Sequence, residues 1–277
     1  MLGLELRDCT LSEAADAISL AATHQGLSQV VSFVNAHCYN VARRSDAYRR
    51  ALRAATWLLP DGTGVRWAAK LFGHTLRANP NGTDLFPLLC DRAETRGHRL
   101  FFFGAKPGVA DRMARALKIT WPDLLIAGTW PGDFQPGKSG QVIEAIRVTR
   151  PDILFVAGGV PLQELWIEQY RPHLEVPMIL GVGGLFDFYA REVSRAPSVL
   201  RRSGLEWTWR LLQEPQRLGR RYLLGNPDFL IWILSQRLGK GGGVRGEPGV
   251  PAAPLDPIAP ERPLPDAARP GRSRSPT

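Results

Sequence analysis

Six short apolar runs, set between stretches of helical periodicity, constrain this chain more than any other feature. They read as strands at Gln29–Val34, Trp57–Leu59, Arg99–Phe103, Leu124–Ala127, Ile153–Val156 and Met178–Val182. The spacing between them predicts helices: one from a capping box at Thr10 and Glu13 to about Gly26, then Ala36–Ala55, Thr63–Phe72, Asp84–Arg96, Val109–Ile119, Gln141–Arg150 and Leu162–Tyr170. Strands that alternate with helices pair in parallel, and each crossover helix covers one face of the sheet. The expected fold is α/β, a Rossmann-like, mostly parallel sheet with helices on both faces over residues 1–190. With 277 residues, 44% of them apolar, the chain can bury such a core.

In sheets of this kind ligands bind beyond the carboxyl ends of the strands. That rim receives Asn35, Asp61 with Gly62 and Gly64, Gly104, Gly158 with Gly159, and Gly183 with Gly184. Any one of these glycines can be only a turn residue. Five such junctions on one rim point to a ligand crevice. In FFFGAKPGVA, Gly104 and Gly108 lead into a helix whose free N–H groups can meet a phosphate, although the string matches neither a Walker loop nor GxGxxG.

Charge and composition organise the rest. Of the net +9, residues 191–237 carry +5, from nine arginines and no lysine against four acids. This stretch interleaves Arg with Trp207, Trp209, Tyr222, Phe229 and Trp232, a mixture suited to an anionic membrane surface, so it is expected to be a basic, membrane-associating helical appendage. No RNP, zinc or helix-turn-helix pattern accompanies it, so nucleic acid is not expected as a partner. Arg201 and Arg202 are expected on a solvated face. Residues 238–277, with 16 Pro and Gly and no aromatic residue, read as a disordered tail. The apolar run Phe229–Leu234 is six residues, where a spanning helix needs about 20. Glu5, Arg7 and Asp8 interrupt what a signal peptide would need, and three cysteines without a CxxC pair suggest neither disulfides nor zinc. A cytoplasmic protein, peripheral on the membrane, fits these features.

Several strings occur together in a fixed order: Asn35 after an apolar strand, LPDGTGV at Leu59–Val65, NGTDLF at Asn81–Phe86, PDILFVAGGVPLQELWI at Pro151–Ile167, GVGGLFDF at Gly181–Phe188, RAP at Arg195–Pro197 and GLEWTWRLLQEPQRLGRRYLLGNPDFL at Gly204–Leu230. Over about residues 10–235 the chain resembles the WecG/TagA/CpsF family, glycosyltransferase family 26. The resemblance implies an inverting, metal-independent transferase with no cofactor. It implies transfer of a sugar from a UDP-sugar to a polyprenyl-diphosphate-linked sugar at the inner face of the bacterial cytoplasmic membrane. Exopolysaccharide or cell-wall polymer synthesis would be its setting, with a homo-oligomer left open.

Inverting transfer needs a base for the attacking hydroxyl and stabilisation of the departing diphosphate. Asp61, on a Pro-Asp-Gly turn at the crevice, is the expected catalytic base, against the alternative that it forms an Asx turn or caps the next helix. Asn35, Asn81, Asp84, Gly104 and Gln163 are the expected donor-binding residues; the two asparagines and Asp84 could equally be caps. Glu164 and Asp187 read as structural or orienting, and His37 as packed. No DxD occurs, so no metal ligand is assigned. Arg210, Arg217, Arg220 and Arg221 are expected at the acceptor diphosphate. Two departures from the family pattern leave the donor sugar open. Phe33 stands where members often carry Thr, and Arg191 follows Ala190 where Ala-Gly is frequent. A nucleotide-sugar-binding regulator or assembly subunit without turnover is the alternative, which the presence of Asp61 disfavours.

Overall fold

The computed structural model describes residues 1–239 apart from 25, 27, 135, 136, 198, 201 and 202. Arg201, Arg202 and the tail from residue 240, for which expectations were stated above, lie outside the described residues. Six parallel strands form one sheet: β1 (Gln29–Val34), β2 (Trp57–Pro60), β3 (Arg99–Gly104), β4 (Leu125–Trp130), β5 (Ile153–Ala157) and β6 (Met178–Gly181), in the order β2-β1-β6-β5-β3-β4. Every residue of β5 and β6 is buried, as a parallel sheet covered on both faces requires.

Side-chain alternation divides the core by face. Phe33, Leu100, Phe102, Ile153 and Phe155 pack under α1 (Leu11–Ala21), α5 (Gly82–Arg96), α6 (Val109–Thr120) and α9 (Leu185–Tyr189). Phe101, Phe103, Leu154 and Val156 face α7 (Ser139–Thr149) and α8 (Leu162–Leu174). On that second face, Val34 and Leu58 meet α2 (Ala36–Arg44), α3 (Asp46–Ala54) and α4 (Thr63–Leu71). The single helix expected over Ala36–Ala55 is thus two. Ser45 takes an extended backbone (φ −134°), and its hydroxyl accepts the Tyr48 N–H at 3.2 Å, which starts a new helix instead of continuing the old one.

The basic stretch continues as α10 (Glu206–Gln213), α11 (Pro215–Gly219), one π-helical segment (Arg220–Leu224) and α12 (Gly225–Arg237). Part of it belongs to the core. Phe229 and Ile233 of α12 are buried among Tyr39, Val65 and Ala68. Asn40 of α2 donates to the Gly225 carbonyl at 2.7 Å, and Asp228 accepts from Arg43 and Arg44 at 3.3 and 3.0 Å. The aromatics of the stretch are therefore largely spent on packing: Trp232 lies near Tyr39 (centroids 6.1 Å) under the Arg43 guanidinium, and Trp207 lies against Tyr222. Phe229, expected at a membrane boundary, is instead buried. α12 and its two ends carry an exposed aliphatic stripe: Leu224 just before the helix, Ile231 and Leu234 within it and Leu238 just after it, at 65%, 68%, 51% and 69% exposure.

Arg191, one of the two departures, adopts φ +61°, the left-handed region that favours glycine. A non-glycine residue there costs about 1–2 kcal/mol, partly offset by the extra chain entropy glycine loses on folding. Arg191→Gly is expected to raise unfolding stability by about 0.5–1 kcal/mol in urea titration, a gain that Arg191→Ala should not reproduce.

Candidate active site

The chain runs from β1 outward to β2, then crosses to the other half of the sheet and returns through β5 and β6 to lie beside β1. Loops leaving β1 and β2 therefore diverge from those leaving β5 and β6, and a cavity opens between them at the strands' carboxyl ends. Asn35, Asp61, Asn81, Gly159, Gln163 and Gly183 line it from the sheet side, and Arg210, Arg217, Arg221 and Tyr222 line it from the C-terminal helices.

Asp61 sits on the turn after β2, and its own N–H bonds the Val34 carbonyl at 3.0 Å. Its carboxylate does not cap the next helix. Gly62 (φ +87°) holds the N-cap position of α4 and makes no side-chain cap bond, while the Gly62 N–H goes to Asn79 Oδ1 at 2.8 Å. Instead the Asp61 carboxylate accepts from Asn35 Nδ2 at 3.1 Å. Asn35 is pinned in this orientation because its Oδ1 takes the Cys38 N–H at 3.2 Å, capping α2. Burial raises the Asp61 pKa above the ordinary carboxylate value, and the bond from Asn35 and the charges of Arg221 and Arg210 oppose that rise. The result is a half-buried carboxylate, oriented by one amide, at the wall of the cavity.

The other expected donor contacts divide. Asn81 lines the cavity and caps α5 through the Asp84 N–H at 2.9 Å. Asp84 is not among the lining residues; it accepts from Asn81 Nδ2 at 2.7 Å and pairs with Arg195, tying the segment after α9 to the head of α5. Gln163 lines the cavity but commits its amide to protein. Oε1 accepts the N–H groups of Gly159 at 3.2 Å and Gly183 at 2.8 Å, and Nε2 donates to Glu164 at 2.8 Å. Glu164 is buried, and desolvation pushes its pKa to about 7. Gly104 lies outside the cavity, because β3 stands beyond β5 in the sheet. Its φ of +136° and the 2.5 Å at which a Cβ would meet the Ala157 carbonyl oxygen give the glycine a packing reason.

Three of the four expected arginines reach the cavity, whereas Arg220 is exposed and outside it. Arg210 lies over the Phe188 ring at 4.4 Å. Arg210 Nε and Arg221 Nε are both buried without a hydrogen-bond partner. Two residues of the site escape sequence reasoning. Asn79 fixes the turn that carries Asp61 across a separation of 17 residues, which no local pattern announces. Glu214 bonds both Arg210 and Arg217, and its i,i+4 and i,i+3 spacing was a readable signal.

The sequence profile described as "Glycosyl transferase WecG/TagA/CpsF family" matches residues 1–242 of this chain. The chain belongs to this family. Among its relatives is the N-acetylglucosaminyldiphosphoundecaprenol N-acetyl-beta-D-mannosaminyltransferase of Bacillus spizizenii, 34% identical over 193 residues, which are 70% of this chain and 74% of the relative. The enzyme of that name from Bacillus subtilis is 32% identical over 216 residues, 78% and 83% of the two chains.

Against that family background, Phe33 takes a definite place. Its ring lines the cavity and packs beside Gly82, where an added Cβ would stand 3.5 Å away, so this wall is apolar. His37 is half-buried, and burial with the nearby Arg221 and Arg44 charges lowers its pKa to about 4, leaving a neutral imidazole at pH 7. Among the described residues no cluster of three or more His, Cys, Asp or Glu could hold a metal ion, and no helix is long and apolar enough to cross a membrane.

Proposed function

We propose that this glycosyltransferase moves N-acetylmannosamine from its UDP derivative to an N-acetylglucosamine linked through diphosphate to a polyprenol, in cell-wall polymer or exopolysaccharide synthesis. The names of its relatives support the two sugars. The observation that carries the chemistry is Asp61, whose carboxylate is free of helix capping, oriented by Asn35 and set in the wall of a cavity that three arginines also line. The acceptor hydroxyl attacks the donor's anomeric carbon from the face opposite UDP, and Asp61 takes its proton as the new C–O bond forms. The bond to UDP breaks, its electron pair stays on the departing phosphate oxygen, and guanidinium charge offsets the gain. From an α-linked donor this path gives the β linkage in the relatives' name.

Asn35 and Gln163 act by holding the base and the Gly159 and Gly183 loops in place, and Asn81 shapes the donor wall. Arg210, Arg217 and Arg221 receive the acceptor's diphosphate, and from the same cavity their charge also acts on the departing UDP phosphate. The aliphatic stripe of α12, at the border of a stretch rich in arginine, suits a helix lying in the headgroup region of an anionic bilayer.

Incubation with a panel of UDP-sugars and a short-chain lipid-diphosphate N-acetylglucosamine, read by product mass, tests this reading. A single added N-acetylhexosamine is expected from UDP-N-acetylmannosamine. Transfer of glucose or of a uronic acid instead would reassign the donor, and UDP binding without any product would leave a non-catalytic binder. The same reaction should keep its rate in EDTA, because guanidinium groups can supply the charge that a divalent cation otherwise provides. Loss of transfer on chelation, restored by magnesium or manganese, would overturn metal independence.

A further inference from the structure

Glu214 stands at the break between α10 and α11. Its N–H bonds the Arg210 carbonyl at 3.0 Å, and its backbone (φ −132°, ψ 59°) leaves the helical region immediately before Pro215. Arg210 and Arg217 thus project from two different helices. One carboxylate spans the break, accepting from Arg210 Nη2 at 3.1 Å and from Arg217 Nε and Nη2 at 2.8 and 2.5 Å. That leaves Arg210 Nε, shut from water and without an acceptor, in a residue lining the cavity that holds Asp61. A buried guanidinium N–H is costly until an acceptor meets it, and Arg210 Nε still lacks one, whereas Arg217 Nε is satisfied by Glu214.

We propose that Glu214 is a positioning residue, whose carboxylate clasps Arg210 and Arg217 into one fixed pair that receives a diphosphate. The inference rests on the diphosphate reading of these arginines given above. An unheld arginine must be ordered when its ligand binds, at a cost in affinity, and a carboxylate that orders it beforehand removes that cost. Neutralisation alone would not need a residue at the helix break; fixing the angle between two arginines on separate helices does. Because each clasped guanidinium gives up only part of its donors, the remaining N–H groups stay available to phosphate oxygens.

The test uses the full chain, with KM for donor and acceptor and kcat measured separately for Glu214→Gln, Glu214→Ala, the double variant Arg210→Ala/Arg217→Ala, and the triple variant. Glu214→Ala is expected to raise the acceptor KM on the order of tenfold with little change in kcat, and Glu214→Gln, which keeps the shape without the charge, to raise it less. Since Glu214 acts through the arginines, the triple variant should be no worse than the double. A rise in donor KM alone would keep the clasp and transfer its ligand to the donor's diphosphate, overturning only the acceptor assignment. An acceptor KM that falls on removing Glu214 would make it a competing counter-ion. An unchanged KM, or full additivity in the triple variant, would also overturn the inference, and Glu214→Gln decides the matter should Glu214→Ala not fold. If the double arginine variant changes neither KM, the diphosphate reading itself falls.

Discussion

Asp61→Asn is expected to lower turnover on the order of 10²- to 10⁴-fold, the loss that follows removal of a general base, while UDP binding survives. Asparagine keeps the size of the side chain and can still accept from Asn35 Nδ2, so the turn, the cavity wall and the Asn79 bond to Gly62 should persist. Only the ability to take a proton is lost. The pH profile adds an independent check. Because burial raises the Asp61 pKa, the base is lost as pH falls through a value above that of an ordinary aspartate, and the acid limb of kcat/KM should lie correspondingly high. Asp61→Asn should lack that limb. Turnover near that of the parent chain would remove Asp61 from the base role.

A chain ending at Ala190 should lose transfer to the lipid acceptor altogether, but for two reasons that must be separated. Membrane attraction is expected from the basic residues of 191–237, each worth about 1 kcal/mol near an anionic surface, and it should weaken as salt screens them. Phe229 and Ile233 are also buried against α2 and α4, and losing two such side chains costs about 3–6 kcal/mol, a large part of the stability of an ordinary domain. Truncation therefore damages the core as well. Replacing Ile231, Leu234 and Leu238 by serine touches only the exposed stripe, and it should abolish sedimentation with anionic vesicles while leaving the melting temperature and UDP binding in place. Removing residues from 240 onward should alter neither property. A stripe variant that still binds vesicles and glycosylates the lipid acceptor would show that α12 is not the membrane face.

The sheet, its six strands and its binding rim were legible because a parallel sheet must be built from continuous apolar segments, and because loops leaving its carboxyl edge concentrate glycine and polar residues. Asn35, Asp61 and Gln163 could be found from that logic and the family motifs. What each side chain does with its hydrogen bonds could not, since Gln163 spends its amide on backbone groups 4 and 20 residues away. Likewise Ser45 breaks a helix that periodicity alone would continue, because a serine hydroxyl can compete for backbone N–H groups. The aromatic residues of the basic stretch read equally well as membrane anchors or as core, and the packing of α12 on α2 decides against the first for Phe229. Gly104 shows a second kind of requirement: a glycine at a strand end demanded by the neighbouring strand's backbone.

Helix α2 serves two masters. Asn35 at its head holds the Asp61 carboxylate, and Asn40, Arg43 and Arg44 farther along fasten α12. Nine residues of helix amount to a rigid rod about 13 Å long. On the reading proposed above, in which α12 lies on the bilayer, that rod would act as a ruler and set the height above the lipid plane at which a sugar hydroxyl has to arrive. An acceptor whose first sugar stands directly on its diphosphate presents that hydroxyl at one elevation, and a longer lipid-linked glycan would carry its terminal sugar past the base. Selection by reach would then discriminate a nascent chain from an extended one without any contact to the sugars that distinguish them.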